Sequence, residues 1–110
     1  MKKSFTIPMF DQPIVFTNDM EEARKVSKPK TDNDHQWFDD CIEESAGFTL
    51  ITDEGKIVVC AEEWDTVVHE LAHATFYTLL SRGFELEVDN HEAFCYLQGW
   101  LVRKWMDSMQ

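Results

Sequence analysis

The stretch TVVHELAHA, residues 66–74, places two histidines and a glutamate inside an otherwise apolar run. In an α-helix, residues four positions apart lie one above the other on the same face. His69 and His73 would therefore present two imidazoles to one point in space, as two ligands of a metal ion do. Glu70 would lie beside that point, where its carboxylate can take a proton from a metal-activated water. The motif predicts a zinc site on a helix.

The helix that carries this motif is predicted to be long and largely buried. Apolar residues recur at helical spacing from Trp64 to Leu80, and Gly83 predicts the end of the helix. Because apolar residues cover most of the circumference, we expect the helix at the centre of a small domain. Unused histidine and glutamate side chains would be costly there, which favours a functional role over two ordinary helix histidines.

A β-hairpin is predicted directly before this helix. Residues 47–52 and 56–61 have strand-like composition and flank an Asp-Glu-Gly turn. Gly55 can take the left-handed conformation that a short turn needs. This is the clearest strand signal in the chain.

The N-terminal part has weaker signals. Residues 5–10 and 14–17 have strand-like composition, but their prolines predict short or edge strands. Asn18 or Asp19 could cap a short helix over residues 20–26, which has acids in its first turn and bases in its last.

The remaining segments complete the order of elements. Residues 27–34 are polar and predict a loop, while residues 35–46 fit either a short helix or an irregular loop. Asp89 or Asn90 is expected to cap a last helix that runs through Trp105 or beyond. The order predicts an α+β fold in a single domain over the whole chain, with a small sheet including the hairpin packed on the buried motif helix and the C-terminal helix.

Composition limits the classes of partner. The chain has 110 residues, 44% of them hydrophobic, which suits one domain with a modest core. Its net charge of -11 argues against sequence-independent binding to nucleic acid or to anionic membranes, because both need a basic face. The acidic surface could instead dock on a basic partner protein.

The cysteines and the apolar runs bear on location. Cys41, Cys60 and Cys95 lie far apart in sequence and form no Cys-x-x-Cys pair, which suggests reduced, intracellular thiols. The N-terminal apolar patch is broken before it could serve as a signal-peptide core, and no run approaches the roughly 18 apolar residues of a membrane span. A cytoplasmic location is expected.

A catalytic zinc site needs a third protein ligand besides the two histidines, because one position stays open for water. Glu92 is the predicted ligand, since a return through the turn at Gly83 would bring the first turn of the last helix back toward the motif. Asp89-x-x-Glu92 also fits a capping box, in which Glu92 would only bond its own helix. Gly99 shares a helix face with Glu92 and is expected to let the two helices approach closely.

Other candidate ligands lie in the same stretch: Asp89, His91 and Cys95. His91 would point about 100° away from Glu92 around the helix, and a buried cysteine such as Cys95 is usually a packing residue. His35 lies in a polar segment and is predicted to be on the surface. Tyr77 and Tyr96 are candidates to donate a hydrogen bond to a developing oxyanion, although helix tyrosines more often serve as amphipathic packing residues.

The two halves of this pattern together resemble a known family. VVHELAHA at residues 67–74, followed by a turn and then EAFCYLQGWL at residues 92–101, is similar to the minimal zincin-like metallopeptidases of the gluzincin type. These include small phage-encoded proteins and the broader ImmA/IrrE and SprT-like groups. The resemblance covers the C-terminal half of the chain, from residue 47 onward.

The resemblance implies a zincin core and a set of site residues. A helix would carry His69, Glu70 and His73, and the following helix would supply Glu92 as the third zinc ligand. It also implies that the strand at residues 57–61 is a sheet edge onto which an extended substrate peptide adds.

The expected function is therefore a zinc-dependent metallopeptidase, a hydrolase acting on a peptide or protein. The chain lacks a second subdomain that would form the far wall of a substrate cleft, so broad proteolysis is not expected. The alternative is a non-catalytic, acidic, phage-type interaction protein whose metal site is structural or vestigial.

Overall fold

The computed structural model of the chain describes residues 1–27 and 47–109. These residues form an α+β fold with one four-stranded mixed sheet and three helices, which confirms the predicted fold class. The expectations for the segment between residues 28 and 46 lie outside the described residues. In chain order the elements are β1 (Lys2–Ile7), β2 (Gln12–Thr17), α1 (Met20–Ser27), β3 (Gly47–Ile51), β4 (Ile57–Ala61), α2 (Trp64–Ser81) and α3 (Glu92–Met109).

The sheet has the strand order β1-β2-β4-β3, so β4 lies inside it. β4 pairs in parallel with β2 and antiparallel with β3, and the β3–β4 hairpin turns at Gly55, whose φ is 85°. The hairpin is confirmed, but the expectation that residues 57–61 form a sheet edge is wrong. All five residues of β4 are buried, as is typical of a strand with neighbours on both sides and on both faces. Among the described strands, the one at the end of the sheet beside α2 is β3.

β2 is also internal, although its proline predicted a short or edge strand. The parallel ladder between β2 and β4 begins with Ile14 opposite Ile57, one residue after Pro13. The N–H group that proline lacks is therefore not needed for this ladder.

Helices cover both faces of the sheet. α2 and α3 pack on one face, and α1 packs on the other, where Ala23 contacts Val58 and Cys60. The alternation of side chains along each strand separates the two sets. The strand residues on the α2 and α3 face include Ile14, Phe16, Ile57, Val59 and Ala61.

α3 joins this core through one stripe of residues at helical spacing: Phe94, Leu97, Leu101, Trp105 and Met109. The stripe buries one side of the helix and leaves the opposite side exposed. Among the helices of the described residues, none combines the length and the apolar content needed to cross a membrane.

The C-terminal end of α2 follows the predicted signal. Gly83 has a φ of 86°, and its N–H donates to the Leu80 carbonyl at 3.1 Å, while the Phe84 N–H donates to the Leu79 carbonyl at 3.1 Å. This is a Schellman motif, which needs a left-handed residue just past the helix. The predicted stop at Gly83 is confirmed.

Gly99 is not at a helix contact. A Cβ atom built on Gly99 would meet nothing within 4 Å, so the expectation that this glycine lets α3 press against α2 is wrong. α3 packs through its apolar stripe, and Gly99 lies on the exposed side. The close approach is found instead at Gly47, where a Cβ would lie 2.5 Å from the Cys60 carbonyl oxygen and 2.7 Å from Cγ2 of Thr66.

These two glycines predict opposite effects of the same substitution. Gly47→Ala is expected to destabilise the fold by about 1–3 kcal/mol, because the added methyl would clash with the Cys60 carbonyl oxygen of β4 and with Thr66 of α2, so that the strand has to shift. Gly99→Ala is expected to stabilise it by about 0.5–1 kcal/mol, because alanine is the better residue in an open helix position. Urea unfolding of both variants measures the difference. Destabilisation by Gly99→Ala would contradict the exposed position of this residue.

Candidate metal centre

The two motif histidines lie one turn apart on the solvent side of α2. Val67, Leu71 and Ala74 turn the opposite side of the helix into the core. His69 and His73 are consequently exposed, with 67% of the His69 side chain accessible to solvent. A metal ion can reach both rings from solvent.

The ring nitrogens of the histidines converge. Nε2 of His69 lies 3.2 Å from Nε2 of His73, and the two ring planes meet at 76°. Two nitrogens bound at 2.0–2.1 Å to a tetrahedral zinc ion lie about 3.3–3.4 Å apart. The pair is therefore spaced as two ligands of one zinc ion.

Glu70 is buried beside this pair, with only 7% of its surface exposed. Its Oε1 accepts a hydrogen bond from Oγ1 of Thr49 at 2.8 Å. Its Oε2 lies 3.9 Å from Nε2 of His69. One carboxylate oxygen is thus fixed to the sheet, and the other faces the histidine pair. The structure brings together three of the four predicted site residues, namely His69, Glu70 and His73.

The candidate tyrosines differ in position. Tyr77 lies beside the ring of His73, with ring centroids 6.3 Å apart and planes 25° apart. Tyr96 is 75% exposed on the outer side of α3. A hydrogen bond from either hydroxyl to an oxyanion stays a prediction.

The structure does not group Glu92 with the two motif histidines. Its carboxylate lies with the donor atoms of His91 and Cys95, all within 4.8 Å of one another and all exposed. In the described ranges this is the one cluster of three such donors, and it contains neither His69 nor His73. The cluster lies at the start of α3, where the positive end of the helix dipole opposes a cation. Glu92 as the third ligand of the histidine pair stays a prediction.

Two further features concern the position of Glu92. It is the first residue of α3, whereas a capping box needs its glutamate at the third helical position.

Phe94 packs against Phe76 with ring centroids 5.4 Å apart. Phe76 follows His73 by three residues, so the first turn of α3 is anchored to the part of α2 that carries the motif.

Sequence reasoning missed Thr49. Phe48 and Leu50 pack in the cluster on the α1 side of the sheet, so their neighbour Thr49 points to the α2 side. The sequence signal was a polar residue in the middle of the strand, on the face that should cover the motif helix. Which helix residue it would meet could not be read from strand alternation.

Cys60 and Cys95 are free thiols, and Cys41 lies outside the described residues. Burial, followed by the charges of nearby acids such as Glu62, raises the pKa of Cys60 to about 12. Cys60 is therefore a protonated packing residue near neutral pH. Cys95 is exposed rather than packed.

No protein-family model, no curated protein and no solved structure matches the chain. The converging histidines, the buried glutamate and its threonine partner are the observations that bear on the chemistry of the site.

Proposed function

We propose that this protein is a zinc-dependent peptidase that hydrolyses a peptide bond in a peptide or protein substrate. The observation that carries the proposal is the 3.2 Å separation between Nε2 of His69 and Nε2 of His73. Helical spacing brings two imidazoles to the same face, but it does not by itself point both Nε2 atoms at one position.

The donor set fits zinc. Imidazole nitrogens and carboxylate oxygens are ordinary zinc ligands, and three protein ligands with one open position are typical of a catalytic site. His69 and His73 would supply two ligands, and Glu92 is the proposed third. Bound zinc would supply Lewis-acid activation of a water molecule near neutral pH.

Glu70 is the proposed general base. Oε2 is the carboxylate oxygen on the side of His69, at 3.9 Å from Nε2, while Oε1 is held by Thr49. In this role Glu70 accepts a proton from the attacking water at Oε2 and passes it to the leaving amine nitrogen. A buried position keeps the carboxylate from being fully hydrated, which strengthens its interaction with the reacting groups.

The proposed substrate position is the outer edge of β3. Among the described strands, β3 is at the end of the sheet and pairs with β4 alone. An extended peptide can add to such an edge by main-chain hydrogen bonds. Thr49 on the same strand contacts Glu70, so a peptide bound there would lie next to the base.

A second candidate function is an acidic interaction protein with a structural or vestigial metal site. The observation that favours it is the segment between α2 and α3, where exposed Phe84, Leu86 and Val88 alternate with acidic residues. Together with a net charge of -11, this segment suits a partner that is basic with an apolar strip.

The test begins with elemental analysis and zinc titration of the purified protein. The zinc-loaded protein is then incubated with a proteome-derived peptide library, and new termini are identified by mass spectrometry. Cleavage at defined bonds is expected, with none in the Glu70→Gln variant. Failure to take up zinc would overturn the proposal. A stoichiometric basic partner that co-purifies uncleaved would favour the second candidate.

The third ligand has its own test. Glu92→Gln is expected to weaken zinc binding by at least about 10-fold, because it removes the anionic donor. His91→Ala and Cys95→Ser are the matched controls from the same cluster and should keep the wild-type zinc affinity, measured by competition with a chromophoric chelator. If His91→Ala lost zinc affinity and Glu92→Gln did not, the third zinc ligand would be His91 and not Glu92.

A further inference from the structure

We propose that Thr49 is a positioning residue that fixes the carboxylate of Glu70 for proton transfer. The proposal rests on the proposed function, because it assigns a purpose to the orientation of the same glutamate. Thr49 touches neither the substrate nor the histidines in this assignment. It acts only through Glu70.

The hydrogen bond from Thr49 to Glu70 joins β3 to α2. Oγ1 of Thr49 lies 2.8 Å from Oε1 of Glu70 and 2.9 Å from the Glu70 backbone oxygen. The two residues are 21 positions apart, so the contact is not a local turn. A hydroxyl carries one proton, and the two acceptors on Glu70 share it. The shared donor ties the glutamate side chain to its own backbone.

The packing beside Thr49 explains how the strand comes this close. Gly47 is two residues earlier on β3 and meets Thr66, which is four residues before Glu70 on α2. Two residues span about 6.6 Å along a strand, and four residues span about 6 Å along a helix. The contacts of Gly47 and Thr49 are thus neighbouring contacts in the interface between β3 and α2. The missing side chain of Gly47 lets α2 approach until the Thr49 hydroxyl reaches the carboxylate.

The hydrogen bond from Thr49 determines which carboxylate oxygen of Glu70 can accept a proton. Within the described part of the chain, Thr49 is the hydrogen-bond partner of the Glu70 carboxylate, and Glu70 is buried. A buried carboxylate oxygen without a donor is unfavourable, so Oε1 is held at Thr49. Oε2 accepts no hydrogen bond from the described residues and lies 3.9 Å from Nε2 of His69. Removing the hydroxyl would let the carboxylate rotate and would lose this arrangement.

A double-mutant cycle on the metal-free protein tests the contact without any need for activity. Thr49→Val keeps the shape of the side chain and removes the donor. It is expected to lower Tm more in the wild-type background than in a Glu70→Ala background. Thr75→Val is the matched control, because the buried Thr75 hydroxyl bonds the Leu71 carbonyl of its own helix, and its effect should be the same in both backgrounds. Equal Tm losses for Thr49→Val in the two backgrounds would overturn the proposal.

A second measurement covers the case in which Glu70→Ala does not fold. The ¹³C resonance of the Glu70 carboxyl carbon is expected to shift in Thr49→Val and to return in Thr49→Ser, which restores the hydroxyl. An unchanged resonance in Thr49→Val would also overturn the proposal.

The positioning role is then measured on the zinc-loaded enzyme. Thr49→Val is expected to lower kcat by between about 10- and 100-fold with KM and zinc stoichiometry unchanged, and Thr49→Ser to recover most of the rate. A wild-type kcat in Thr49→Val would refute positioning. A protein that binds no zinc and cleaves nothing, yet shows the coupling in the cycle, would refute the peptidase function and leave the Thr49 contact intact.

Discussion

Replacing Glu70 by glutamine is expected to lower kcat by about 10²- to 10⁴-fold while zinc stoichiometry stays at the wild-type value. An amide of the same size cannot accept the proton of the attacking water. Its oxygen can still accept the hydrogen bond from Thr49, so the fold and the position of the side chain should be retained. Rates are measured by mass spectrometry on a peptide that the wild-type protein cleaves.

Glu63 offers the matched control for this substitution. It is exposed, it immediately precedes α2, and its side chain makes no capping hydrogen bond. Glu63→Gln removes the same charge close to the same helix and should leave kcat unchanged. A wild-type rate in Glu70→Gln would remove this residue from the mechanism, whatever the zinc content of the variant.

Each of the substitutions His69→Ala and His73→Ala is expected to weaken zinc binding by more than about 100-fold. Even partners that only orient a ligand contribute 10- to 100-fold to metal affinity, and these two nitrogens are proposed to be ligands themselves. Both variants should still fold, because the imidazoles lie on the solvent side of α2. Competition with a chromophoric chelator gives the affinities, and circular dichroism checks the helix content.

His91→Ala is the control for the loss of one exposed imidazole, since His91 lies outside the converging pair. It should keep the zinc affinity of the wild type. Unchanged affinity in both His69→Ala and His73→Ala would mean that the 3.2 Å contact is a hydrogen bond between two neutral rings and not a pair of metal ligands.

Local signals in the sequence predicted local structure well. The bounds of α2, its stop at Gly83 and the hairpin turn at Gly55 each depend on a few neighbouring residues, through helical periodicity, a Schellman end and a left-handed turn. The position of His69 and His73 on one face of α2 belongs to the same class, because their spacing on one helix determines it, whereas the orientation of the two rings does not follow from that spacing.

Relations between distant segments were not predictable in this way. The place of β4 inside the sheet depends on its parallel pairing with β2, and the Thr49 contact depends on how β3 meets α2. A glycine in a helix fits either a close contact or an open position, so Gly99 alone could not indicate the packed side of α3. The apolar stripe through Phe94 and Leu97 indicates that side, and Gly99 lies away from it.

The contact between β3 and α2 also bears on the order of folding. The turn of the hairpin, the strand that carries Thr49 and the helix that carries the histidines all belong to the contiguous residues 47–81. The Thr49–Glu70 contact within it joins residues 21 positions apart, so closing it has a smaller entropic cost than closing a longer loop. The pairing of β2 with β4 joins residues more than 40 positions apart and carries a larger one. We expect the segment that carries His69, Glu70 and His73 to fold before the rest of the sheet closes around it.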